Sequence, residues 1–156
     1  MNTALKLGAV EAKNLAHVCV DSTVMEKNIA YPTDSNLLLK VLQKMVRLMQ
    51  DNQLTVRQTY AREAPRLAQK IGRYVHAKQF KRMRSALKKL STRVGRVMRE
   101  LQRQLSHLTE LPKLVAEELI EQAAKLRAQA KNPKIKDKLY ALHEPEVDCI
   151  SKGKAH

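Results

Sequence analysis

Tryptophan is absent from this 156-residue chain, phenylalanine occurs once, and aromatic residues make up only 3%. A core built on packed rings is thereby excluded, and Leu, Val and Met must fill the interior, which suits helices. Cysteine is nearly absent too. Cys19 and Cys149 lie far apart with no CxxC spacing, and no secretory signal opens the sequence, so a reduced cytosolic chain with two unpaired thiols is expected. No apolar run approaches the roughly 18 residues that a membrane span needs, so no membrane partner is expected. The five histidines show no paired metal-ligand spacing. In "LHEPE" (142–146) Pro145 breaks the helical geometry that an HExxH zinc site requires.

The scarcest class relative to its counterpart is the acids. Lys and Arg total 30 against 15 Asp and Glu, a formal charge of +15. Apolar residues reach 44%, so the chain is not compositionally disordered and can bury the modest core of one ordinary domain. The charge is unevenly placed. Residues 57–104 hold 15 Lys/Arg and only two acids, Glu63 and Glu100, whereas residues 1–56 hold six basic and five acidic groups and residues 105–156 hold nine and eight. A surplus of 15 − 2 = +13 in one 48-residue segment implies a polyanionic partner, with nucleic acid the expected one.

Periodicity divides the chain into three parts. "HVCVDSTVM" (17–25) is short and β-branched and reads as a strand; "NIAYP" (28–32) reads as a second, ended by Pro32. "TDS" (33–35) then offers helix caps, with Asp34 the preferred one and Glu26 assigned to the turn between the strands. Leu38, Val41, Leu42, Met45, Leu48 and Met49 follow helical spacing to about Asn52. A second helix is predicted from about Val56 through Tyr60, Leu67, Ala68 and Ile71, kinked or interrupted at Pro65. Phe80, Met83, Leu87, Leu90, Val94, Val97, Leu101, Leu105 and Leu108 form a nearly 3.5-residue repeat, predicting one continuous helix. Its stripe reads as core, with a homodimer seam as the sharper alternative; Gly95 beside it either admits close helix approach or weakens the helix. A fourth helix, with Leu114, Val115, Leu119, Ala123 and Leu126, is predicted from near Thr109 to about Lys131, with Pro112 tolerated in its first turn. A lysine-rich loop, "KNPKIKDK" (131–138), and a return to extended structure follow. The predicted fold class is mainly α with a small β portion. Its parts are first strands (1–33), a basic helical insertion of about four helices (34–131), and a loop returning to an incomplete sheet (132–156).

Three stretches carry a family resemblance: "DSTVMEKNIAYPTDSNLL" (21–38), "GRYVHAKQFKRMR" (72–84) and "LHEPEVDCISKGKAH" (142–156). Together, and in this order, they resemble bacterial insertion-sequence transposases with a DDE catalytic domain, Met25 standing where Gln is usual. From spacing alone, Asp21 after "VCV" is better read as a polar residue ending a strand; the motif around it reverses that reading. The resemblance implies an RNase H-like catalytic fold, interrupted by the helical insertion. It implies Mg²⁺ as cofactor, with Asp21 as the first catalytic and metal-binding carboxylate. The two later carboxylates have no counterpart in this sequence, so it reads as an internal, truncated part of a transposase, inactive alone. One carboxylate cannot hold the two ions that flank a reacting phosphodiester.

DNA, as transposon end and target, is the expected partner, with a cytoplasmic, nucleoid-associated location. The expected contacts are Arg73, Lys78, Lys81, Arg82, Arg84, Lys88, Lys89, Arg93, Arg96 and Arg99, which would grip phosphates rather than read bases. Solvated helix faces are the plainer reading of this block, but they would carry interleaved acids at i,i+4, and these are nearly missing. The competing functions are a non-enzymatic helical nucleic-acid-binding protein and a helical oligomerisation module.

Overall fold

The structure, a computed structural model, describes residues 33–145. Its elements are α1 (Asp34–Asp51), α2 (Glu63–His76), α3 (Phe80–Arg103), a 3₁₀ turn (Leu105–His107) and α4 (Glu110–Lys131). The cap of α1 is Thr33, whose hydroxyl accepts the Asn36 N–H at 3.3 Å. Asp34, the expected cap, sits instead inside the first turn, and its Oδ1 accepts a 2.7 Å hydrogen bond from Gln129 near the end of α4. The start of α1 is thus tied to the end of α4, and the two helices run antiparallel.

Two helix ends close without glycine. After α1, Gln53 takes φ 56°, the Gln53 N–H reaches Gln50 O, and the Leu54 N–H reaches Met49 O at 2.8 Å. After α2, Lys78 takes φ 53°, with its N–H on Val75 O and that of Gln79 on Tyr74 O. Both are Schellman closures, in which a left-handed residue turns the chain back so that orphan carbonyls find donors. The second makes α2 and α3 a tight helical hairpin. Pro65 neither kinks nor interrupts α2: it is the third helical residue, where no intrahelical donor is needed. The helix therefore begins at Glu63, and residues 54–62, of which those from Val56 on were expected to be its first turns, form an irregular strap.

The core lies where the four helices face one another. Leu38, Val41, Leu42, Met45 and Met49 of α1 meet Leu90, Val94, Val97 and Leu101 of α3, all essentially inaccessible. Ala64, Ala68 and Ile71 come from α2, and Ala116, Leu119, Ala123 and Leu126 from α4. The small residues of α2 and α4 let these helices lie close to the larger side chains of α1 and α3. The predicted stripe from Phe80 to Leu108 is a true core only in its middle. Phe80 is 51% exposed, Met83, Leu87, Leu105 and Leu108 are partly buried, and the α-helix stops at Arg103. On α4, Leu114 and Val115 prove exposed, with Leu111 beside them; Ala116 takes the inward place because it lies three residues before Leu119 and seven before Ala123.

The expected mixed α/β class, a partial RNase H-like domain with a small β portion, is corrected: among the described residues all regular structure is helical, and no strand or sheet occurs. The segment after α4, expected to return to a sheet, instead packs onto the helices through Leu139, Ala141 and Leu142. Gln129 explains why. Its Oε1 accepts the Leu139 N–H at 3.0 Å and its Nε2 reaches the Leu139 carbonyl at 3.4 Å, so it satisfies the backbone groups that a strand would offer a neighbour. Gln122 holds the Leu142 carbonyl in the same way at 3.2 Å. The expected strands at 17–25 and 28–32, and the chain beyond 145, lie outside the described residues.

Candidate nucleic-acid interface

Helix α3 presents three stripes, set by residues three and four apart. The apolar one faces the core. A second, at 93, 96, 100 and 104, holds the strap that precedes α2. The Gln104 side chain accepts the Thr55 N–H at 3.0 Å and donates to the Thr55 carbonyl at 2.8 Å. The buried Glu100 accepts the Arg57 N–H at 3.0 Å. Arg96 Nη1 donates to the Tyr60 hydroxyl at 3.3 Å. Arg93 donates through Nε and Nη2 to Glu63 Oε1 at 3.0 and 2.9 Å. The strap therefore runs antiparallel to the second half of α3, fastened at three successive levels, with a fourth at Glu63, the first residue of α2.

Tyr60 is the strained member. Its φ of 53° puts a bulky side chain in the left-handed region, at a cost of about 1–3 kcal/mol. Burial of the ring offsets that cost, as do the Arg93 guanidinium 5.3 Å above it and the Arg96 hydrogen bond. The Glu63 hydrogen bond raises the Arg93 pKa further above its already high value, with lesser Coulombic help from Glu63 and Tyr60 against the burial of the group. Arg93, like any arginine, is charged at every pH at which proteins are handled.

The third stripe and the hairpin turn carry the cations. Of the ten basic residues expected to meet DNA, Arg73, Lys78, Lys81, Arg82, Arg84, Lys88, Lys89, Arg96 and Arg99 are all exposed. They spread from the end of α2 across the turn and along the outer side of α3. Arg93 differs: its side chain is only 25% exposed and is engaged with Glu63. Three residues that the sequence did not single out belong with the group. Arg57 in the strap and Arg103 at the end of α3 are exposed beside Arg96 and Arg99, and Tyr60 lines the same hollow. The missed signal for Arg103 was its spacing, four residues after Arg99 and seven after Arg96. For Arg57 there was none, because its place depends on Glu100 pinning the strap.

Both acids of this region are engaged by basic residues of another segment. Glu63 pairs with Arg93, and Glu100 lies 4.0 Å from Arg57 Nε. Of fifteen Lys and Arg in residues 57–104, thirteen consequently have no carboxylate partner among the described residues. Their other interactions, such as Arg82 with Gln79 Oε1 and Lys70 over the Tyr74 ring, leave the charge uncompensated.

The expected catalytic and metal-binding Asp21 lies outside the described residues. Among the described residues no group of three or more His, Cys, Asp or Glu could hold a metal ion. Also among the described residues, no helix is long and apolar enough to cross a membrane.

Compared with known proteins, the chain is 45% identical over 80 residues to a protein of Rhizobium meliloti named "Uncharacterized protein ORF8 in nfe locus". The match takes in 51% of this chain and 39% of that protein, so it spans less than half of the relative's length. No protein-family model matches the chain. No solved structure matches it.

Proposed function

We propose that this chain is the helical, DNA-binding part of an insertion-sequence transposase, acting in the cytoplasm on nucleoid DNA. The observation that carries the binding reading is the engagement of both acids of residues 57–104 by other segments, which leaves thirteen exposed cations without a carboxylate partner among the described residues. Such a surface repels itself unless a polyanion neutralises it. Duplex DNA supplies closely spaced phosphates, and Lys and Arg that displace its counterions gain affinity irrespective of sequence. The transposase assignment rests on the three sequence stretches around Asp21, Arg73 and His143. On that assignment Asp21 is a carboxylate of the complete enzyme's metal site. When bound, Mg²⁺ would supply charge stabilisation at the reacting phosphodiester. The part played by the helical residues is to hold the DNA.

A non-enzymatic nucleic-acid-binding protein is the second reading, favoured by a helical core that Leu139 and Leu142 cover, with no sheet among the described residues. The two readings share the interface and part at Asp21. Binding of labelled duplexes of several unrelated sequences, by the wild type and by an Arg82→Gln, Arg84→Gln, Lys88→Gln, Lys89→Gln variant, tests what they share. The variant should bind every sequence more weakly by the same factor. A loss confined to one sequence would overturn phosphate-based binding.

A further inference from the structure

The strap and the second half of α3 enclose a pocket of about 250 Å³, lined by Arg57, Tyr60, Arg96, Arg99, Glu100 and Arg103 together with Gln58. We infer that this pocket is a seat for a single phosphoryl group and, resting on the DNA-binding reading above, that the group belongs to a nucleic-acid backbone. Four guanidinium groups from two separate segments converge on one recess, against a single carboxylate, a local surplus of 4 − 1 = +3. Arg96, Arg99 and Arg103 share a helix face because they stand at i, i+3 and i+7, and Arg57 closes the recess from the opposite side.

The recess is built rather than incidental. Glu100 is buried and spends its charge holding the Arg57 N–H and standing 4.0 Å from Arg57 Nε. Gln104 anchors the strap one turn further along α3 through both backbone groups of Thr55. The strained Tyr60 places its hydroxyl where Arg96 donates to it, which fixes one guanidinium in advance. Arg99 and Arg103 have no carboxylate partner among the described residues, so their planar forks are free to take an oxyanion two bonds at a time. The chemistry of the lining selects a phosphate over a base. The Tyr60 ring is buried, so the pocket offers no exposed aromatic face for stacking. Lys88 and Lys89, on the same helix, stand exposed and outside this lining, where they can add only diffuse attraction.

The test compares two equal removals of charge from the full chain. Arg99→Gln with Arg103→Gln should weaken binding of a labelled duplex by about tenfold or more, the scale expected when charge-assisted hydrogen bonds are removed. Lys88→Gln with Lys89→Gln should weaken it only a few-fold. Arg99→Lys with Arg103→Lys should lose nearly as much as the Gln pair, because the charge remains but the fork does not. Inorganic phosphate, followed through the arginine Nε–Hε signals by NMR, should shift Arg99 and Arg103 saturably, and added duplex should displace it. Equal losses from the two Gln pairs, or full rescue by lysine, would overturn the seat while leaving DNA binding in place. Failure of the wild type to bind duplex at all would instead remove the reading on which the seat's ligand rests. Phosphate that saturates the two arginines but is not displaced by DNA would overturn the nucleic-acid source of the group.

Discussion

Helices α1 and α4 together carry seven Lys/Arg and six Asp/Glu, whereas α2 and α3 carry twelve and two. The two pairs contribute to one core, yet their ion pairs differ. In α1 and α4 the ion pairs are local and outward: Arg47 with Asp51 at 3.7 Å and Lys125 with Glu121 at 3.0 Å, each one helical turn apart. In α2 and α3 both acids reach across to another segment, Glu63 to Arg93 and Glu100 to the strap. Where charge is balanced, the ion pairs lie along one helix. Where it is not, they fasten one segment to another, and thirteen Lys and Arg of residues 57–104 have no carboxylate partner among the described residues. A protein selected only for solubility would have little reason to spend the two acids of α2 and α3 this way.

The largest effect expected of a single substitution separates core from charge. Leu90 is fully buried on α3 between the other helices, so Leu90→Ala should cost about 2–5 kcal/mol in urea or thermal unfolding. Its counterpart on the balanced side, Leu114→Ala on the exposed face of α4, should stay within about 0.5 kcal/mol. A Leu114 variant that unfolds as early as the Leu90 variant would show that the exposed apolar face is buried in solution. Next comes Glu100→Ala, which strands the Arg57 N–H and loosens the strap. Unfolding stability should fall by about 1.5–3 kcal/mol, the scale of a lost hydrogen bond to a charged group. A rise in stability would mean that relief of a buried charge outweighs the scaffold role assigned to Glu100.

Smaller effects, of stabilising sign, come from two glycine exchanges in opposite directions. A Cβ at Gly72, in the middle of α2, would meet nothing within 4 Å, so Gly72→Ala should gain about 1 kcal/mol of helix propensity. Gln53 closes α1 at φ 56°, and Gln53→Gly should gain about 0.5–1 kcal/mol by removing a left-handed strain. Gly95 should be nearly silent. A Cβ there would meet the Arg127 guanidinium at 2.6 Å, the far end of a flexible side chain, which can leave its 3.2 Å bond to Ser91 O. Gly95→Ala should therefore trade that bond against about 1 kcal/mol of propensity, and melting curves of all three variants check the order.

Four helices, their rough limits, the central core residues and the exposed cations were legible in the sequence, because each depends on spacing along one segment. The stripe of Leu90, Val94, Val97 and Leu101 and the end of α4 at Lys131 are of this kind. What escaped depends on partners far away in sequence. Without glycine at Gln53 or Lys78 neither left-handed closure announces itself, so spacing alone sets the start of α2 too early. The extended reading of the chain after α4 fails because Gln129 and Gln122, ordinary polar residues of a helix, take up its backbone groups. The arginine pocket was half legible, through Arg96 and Arg99, since only Glu100 buried against the strap brings Arg57 to them. Exposure of Leu114 and Val115 shows the limit of periodicity alone: two apolar faces are present on α4, and only packing decides which one turns inward.

The central claim, that the cations of α2 and α3 exist to meet phosphates, is tested most directly by the salt dependence of duplex binding. If six phosphates are neutralised, the logarithm of the binding constant should fall against the logarithm of salt concentration with a slope of roughly −5. The four-Gln variant of Arg82, Arg84, Lys88 and Lys89 should flatten that slope by up to about 0.9 for each phosphate it no longer neutralises. A binding constant that does not change with salt, in wild type and variant alike, would show that the cationic face of α3 does not touch DNA.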